Sequence, residues 1–109
     1  MDPHGHLDGM LLAIAADGPV HGYAAAQALR ERSGGVFDLP EGTIYPALHR
    51  LEQAGLLSSA WTTPPSGRRR RVYALTKSGA SRLADGRKAW TRFAKAVDSS
   101  IGGGRAWPA

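Results

Sequence analysis

Residues Glu41 to Leu57 read EGTIYPALHRLEQAGLL, and a short gap later Ser66-Gly67 opens the run Arg68-Arg69-Arg70-Arg71. Within the first stretch Ile44, Ala47, Leu48, Leu51 and Ala54 recur at helical spacing and form a core face, with Gly55 as the breaker. Steps of roughly 100° per residue put Gly42, Tyr45, Pro46, His49, Arg50 and Gln53 on the opposite side, with Thr43 at its edge. Pro46 is expected near the helix start, where few amides have an intrahelical acceptor and a missing N–H costs little. Leu56 to Thr63 and Arg70 to Leu75 read as two short strands flanking Pro64-Pro65-Ser66-Gly67. That connection is longer than a tight two-residue turn, so the hairpin tip and its charge should protrude. A helix with a polar face beside a basic hairpin has the shape of a DNA reader: the helix fits the major groove and the hairpin reaches the flanking backbone.

Working outward, residues 1–6 (MDPHGH) look irregular because Pro3 and Gly5 oppose regular structure. Leu7, Met10, Leu11 and Ile14 then follow i, i+3, i+4, i+7, one face of a helix that Asp17-Gly18-Pro19 ends. A second, alanine-rich helix is expected from near His21 to about Ser33, with Ala25, Ala28 and Leu29 on one side and Gly34-Gly35 as its stop. A fourth begins at the N-cap Thr76 and runs to about Ser100. In it Leu83, Trp90 and Val97 repeat every seven residues, Gly86 and Phe93 take the other seam position, and Ile101 lies at the end. These are the positions of a two-helix seam, too short to form a free-standing coiled coil. The expected fold is mainly α with a small β-hairpin: a winged helix-turn-helix over 1–75, a dimerisation helix over 76–101 and a flexible tail over 102–109.

A chain of 109 residues suits one domain with a modest core, to which a partner subunit would add burial. The net charge of +5 favours an anionic partner, and four of the fourteen basic residues are consecutive at 68–71. There are no cysteines, which excludes disulfides, thiolate nucleophiles and Cys-based zinc sites. No cationic n-region opens the chain, and the longest apolar run, Met10 to Ala16, is too short to span a bilayer. A soluble, cytoplasmic protein is expected. His4 and His6 alternate, but only Asp2 and Asp8 lie near them, so no metal site is expected. No Ser-His-Asp order, carboxylate pair or glycine-rich phosphate loop stands out, so neither catalysis nor a cofactor is expected.

The order and spacing of several short pieces resemble the PadR family of bacterial transcriptional regulators, especially short members with one C-terminal helix. The pieces are His21-Gly22-Tyr23, then Gly42 through Glu52 (GTIYPALHRLE), then Gly55-Leu56. The hairpin adds Gly67-Arg68, Arg70, Tyr73, Leu75-Thr76 and Gly79. Val72 departs from the pattern, standing where the family often has a second aromatic, and Gly86 weakens the last helix. The resemblance implies a homodimer on a palindromic or near-palindromic operator of double-stranded DNA, usually acting as a repressor. It implies dimerisation through the C-terminal helix, assisted by the N-terminal one. It also implies release by a small, often aromatic effector, with Trp90 as the tryptophan that some relatives place in the ligand site.

Roles for single residues follow from their chemistry. Thr43 and Tyr45 offer hydroxyls to phosphate near the start of the third helix, where free amides also favour an anion. His49 and Arg50 point further into the groove, and an arginine can grip guanine through two hydrogen bonds. Gly42 lets backbone approach DNA. Tyr45 has a second reading, packing on the wing, and Tyr23 is divided between a phosphate contact and a cap on the core. Arg68 and Arg70 are expected at the DNA backbone or minor groove; side chains alternate along a strand, so Arg69 or Arg71 belongs to the hairpin's other face. Tyr73 reads as core and Trp61 as local packing. Leu83, Gly86, Trp90, Phe93 and Val97 are the dimer interface or ligand pocket. Two other readings stay open: a winged helix that binds partner proteins and keeps its charge for solubility, and a ligand-binding protein without a regulatory DNA site.

Overall fold

The computed structural model describes residues 3–102. In chain order it contains α1 (Pro3–Ala16), β1 (Val20–His21), α2 (Gly22–Arg32), α3 (Glu41–Gln53), β2 (Leu57–Thr62), β3 (Arg70–Leu75) and α4 (Lys77–Ile101). The three strands form one antiparallel sheet in the order β1-β3-β2. Pairing of Leu57 with Leu75 through Thr62 with Arg70 fixes the hairpin, and Val20 pairs with Tyr73 across the other edge of β3. This is the expected winged helix-turn-helix, followed by one long helix that draws the molecule out to 57 × 28 × 21 Å. Among the described residues no helix is long and apolar enough to cross a membrane.

The core lies where α1, α2 and α3 meet the inner face of the sheet. Ile44, Ala47, Leu48 and Leu51 of α3 are buried against Leu11, Leu12, Ile14 and Ala15 of α1 and Ala25 and Leu29 of α2. Leu57, Tyr73 and Leu83 close it from the sheet and from α4. Full burial of a leucine or isoleucine side chain contributes about 1.5–3 kcal/mol, so these aliphatic contacts dominate the stability of the domain.

The junction between wing and last helix is made of backbone groups and one threonine hydroxyl. Gly55, at φ +78°, turns the chain out of α3. The Thr76 amide donates to the Leu56 carbonyl at 3.2 Å and its hydroxyl donates to the Gly55 carbonyl at 2.7 Å. The same hydroxyl accepts from the Gly79 amide at 3.0 Å, which caps α4. Gly79 is buried, and a Cβ there would overlap the Leu56 carbonyl oxygen and the Leu75 side chain. The separated pieces Gly55-Leu56 and Leu75-Thr76-x-x-Gly79 are therefore one contact in space.

Several expectations need correction. Helix α1 begins at Pro3 rather than Leu7, since proline is tolerated in a first helical turn. Leu12, off the predicted face, is as buried as Leu11. β1 was not expected: two residues are too few to show alternation, and only pairing with β3 defines them. Ala54 is the exposed C-cap of α3 and not a core residue. Pro46 is the sixth residue of α3, not one of its first turn, so the Gly42 carbonyl loses its i+4 donor. Leu83 is 6% exposed inside the chain's own core, so it is not free for a seam. Of the expected tail, Gly102 is the left-handed C-cap of α4 and residues 103–109 lie outside the described residues.

Replacing Gly79 by Ala should lower the unfolding free energy by more than about 2 kcal/mol, because the Leu56 backbone cannot move aside. Gly9→Ala, in open space within α1, should instead raise it by up to about 1 kcal/mol. Urea titrations of the two variants against the parent check both signs.

Candidate nucleic-acid interface

Burial of one side of α3 leaves Gly42, Thr43, Tyr45 and His49 exposed on the other. The Tyr45 ring leans across the start of α2, into the space that a side chain at position 22 would occupy. Gly22 is thus a glycine because a tyrosine crosses it. Tyr45 thus packs on α2 while also lining the groove beside the wing arginines, and the residue stays 41% exposed. Tyr23 is exposed on the first turn of α2, its ring parallel to that of His21 at 6.4 Å, and it caps no part of the core.

Beside α3 a groove of about 420 Å³ is lined by His21, Tyr23, Glu41, Tyr45, Trp61 and Arg68 to Arg71. Three of these arginines, Arg68, Arg69 and Arg70, have no carboxylate partner among the described residues and share the groove with one carboxylate, Glu41, so the groove is electropositive. The arginines divide by strand geometry. Arg70 lies on the His21 side, its Nη1 3.1 Å from His21 Nε2. Arg71 points to the opposite face, where its Nε donates to Ser59 Oγ at 2.8 Å and its Nη2 to Glu52 Oε1 at 3.2 Å. Arg69 lies over the Trp61 ring at 4.8 Å, with Arg71 at 5.6 Å on the same indole. Arg68 and Arg69 form no ion pair among the described residues.

Arg50 departs from expectation. Its guanidinium hydrogen-bonds the Asp8 carboxylate on α1, so it braces α3 against α1 and does not extend beside His49. The seam residues divide as well. Trp90, Phe93 and Val97 are 52%, 42% and 37% exposed, and Ile101 continues the stripe. A side chain at Gly86 would meet open space. Trp90 packs on its own chain through Phe93 at 5.7 Å and, edge-on, through His6 at 5.4 Å.

The transcriptional regulator PadR-like family matches residues 11–85, a span that includes the helix-turn-helix, the wing and the start of α4. The chain belongs to the PadR-like family of transcriptional regulators. It is thus a member of a regulator family and not of an enzyme family. Similar proteins include the transcriptional regulator Rv3488 of Mycobacterium tuberculosis, 42% identical over 87 residues that cover 80% of this chain and 78% of that one. A PadR family regulator of Clostridium difficile R20291 is 35% identical, with a TM-score of 0.75 over 87% of this chain and 96% of its own. Bacillus subtilis PadR, solved in complex with operator DNA, is 26% identical with a TM-score of 0.66, over 72% of this chain and 45% of that longer one.

In this PadR-like chain three groove residues escaped sequence reasoning. His21 is the N-cap of α2, its Nδ1 accepting from the Ala24 amide at 3.3 Å. Its place just before an alanine-rich helix was the available signal. Trp61 is not merely locally packed: it is 55% exposed and covered by arginines, which its register opposite Arg71 foreshadows. Glu41 sits in the first helical turn, where a carboxylate complements the helix dipole, and nothing in the sequence ties it to the wing.

The wing is held by a small charged network. Ser59 donates to Glu52, and this bond, with Arg71 beside it, holds the Glu52 carboxyl below the usual carboxylate range. A depressed carboxylate contributes stability that is present above its unfolded pKa and lost as pH falls through the folded one. Glu52→Gln should therefore weaken the fold near neutrality and narrow the difference in stability between pH 7 and acid. Urea unfolding of parent and variant across that range measures it; parallel curves would contradict the assignment.

Proposed function

We propose that this PadR-like regulator is a homodimeric, sequence-specific repressor that binds an inverted-repeat operator and leaves it when a small hydrophobic or aromatic effector binds. The observation that carries DNA binding is the electropositive groove, where the exposed side of α3 and the arginines of the wing converge. Likeness to an operator-bound regulator supports the same reading. In it α3 enters the major groove: Thr43 and Tyr45 contact phosphate, Gly42 permits close approach, and His49 reaches base edges. Arg50, held by Asp8, steadies the helix rather than gripping guanine. Arg68 and Arg70 take the flanking backbone, and Tyr23 adds a hydroxyl from α2. Such a role places the protein in the cytoplasm with the DNA.

Residues 1–75 read DNA in this scheme and 76–101 pair two copies. The support for pairing is the apolar stripe Trp90, Phe93, Val97 and Ile101, too large to leave in water on a helix otherwise rich in charge. The support for an effector is the half-exposed Trp90 indole next to the open space at Gly86, a flat surface with room beside it.

Selection of bound sequences from random duplexes tests the assignment; an inverted repeat should emerge, and a pool that stays random contradicts it. If roughly six phosphates are neutralised per dimer, log affinity should fall against log salt with a slope of about −5. Changing Arg68 and Arg70 to Ala should weaken binding to every duplex and flatten that slope. With Trp61 and Trp107 replaced, Trp90 emission should shift on titration with a panel of aromatic compounds as the duplex dissociates. A flat titration across the panel counts against the effector.

A further inference from the structure

His21 sits between two hydrogen-bond donors, and that geometry is unbalanced. Its Nδ1 faces the Ala24 amide at 3.3 Å and its Nε2 faces Arg70 Nη1 at 3.1 Å. A neutral imidazole has one lone pair to accept with and one N–H to donate, and a guanidinium has only donors. The ring can therefore satisfy one of its two neighbours. The Ala24 amide belongs to the first turn of α2 and has no intrahelical carbonyl, so the lone pair on Nδ1 goes to it. The proton then resides on Nε2 and points toward Arg70. Protonating the ring does not resolve the conflict, because the imidazolium would lose the Ala24 bond as well. Burial, and then the Arg70 charge, hold the ring below its ordinary histidine pKa and keep it neutral.

Two donors that face each other lack an acceptor between them, and the groove they open into is lined by a single carboxylate, Glu41. We propose that His21 is a DNA-contacting residue, its neutral Nε2–H and the Arg70 guanidinium together gripping one backbone phosphate. This rests on the DNA-binding reading above and assigns the phosphate ligand within it. The phosphate oxygens accept from both groups, so the mismatch in the free protein disappears in the complex. The histidine contributes direction and a hydrogen bond but no charge.

That last point separates its role from an ordinary basic contact. His21→Asn retains a good N-cap, while its shorter amide stops before the Arg70 side of the groove. Binding to the selected duplex should weaken about tenfold at every salt concentration, as for loss of one hydrogen bond to a charged group. The salt slope should stay that of the parent. Arg70→Ala should weaken binding too, but with a slope shallower by about 0.9 per chain. A His21→Asn protein that binds like the parent, or one whose slope flattens as Arg70→Ala does, overturns the proposal. If the parent itself binds no duplex, the DNA-binding reading has failed instead.

Nitrogen-detected NMR of the parent's imidazole rings provides a check that needs no variant to fold. The His21 ring should be the Nε2–H tautomer near neutral pH, with its Nε2 proton moving downfield when duplex is added. An Nδ1–H tautomer, or a proton that does not move in the bound complex, overturns the assignment. The same shift from inorganic phosphate alone, at the duplex phosphate concentration, overturns it in favour of a free-anion site.

Discussion

One side of α3 is sealed into the core, and the rest of the molecule is arranged around the side left over. Ile44, Ala47, Leu48 and Leu51 fix the rotation of the helix about its axis, because turning it would bring apolar side chains into water at a cost of kilocalories each. Thr43, Tyr45 and His49 thereby inherit an outward direction they do not themselves determine. The Arg50–Asp8 pair and the passage of Tyr45 across Gly22 bind the same helix to α1 and α2. A regulator that reads DNA with a helix needs that helix held at a set angle, and here aliphatic packing holds it while polar contacts trim it.

The wing is rigid at its base and charged at its tip. At the base the Thr76 amide and hydroxyl, with the close approach of Gly79 to Leu56, couple β2, β3 and α4. Partway along, Arg71 spends its charge inside the protein on Glu52 and Ser59. Strand alternation then turns Arg70 to the other face, beside His21, while Arg68 and Arg69 remain at the tip. Four adjacent residues of one type thus hold three different positions. A count of positive charge overstates what is available to a nucleic-acid partner, since at least one of the four is already neutralised.

The helices and the hairpin were legible because their signals are local: apolar spacing in α1 to α3, Pro64-Pro65-Ser66-Gly67 at the turn, Thr76 at a cap. What escaped was pairing between distant segments. β1 is defined only by its partner β3, and Leu83 is diverted to the core by the fold of α4 against α1. Arg50 shows the same limit. The helical spacing sets it beside His49, yet its partner, Asp8, lies 42 residues away. The groove was half legible, since α3 and the arginine run announced themselves, whereas His21, Glu41 and Trp61 join it only through tertiary structure.

The apolar stripe of α4 connects this single chain to the unit that would work on DNA. A monomer offers one helix and one wing; a pair joined along Trp90, Phe93 and Val97 offers two of each, related by a twofold axis like that of an inverted repeat. The most direct measurement is the mass of the protein alone and of its complex with a selected duplex by sedimentation. Two chains free in solution and two chains on each duplex are expected. A monomer that loads singly, or a protein that sediments apart from the duplex even in dilute buffer, would contradict the arrangement.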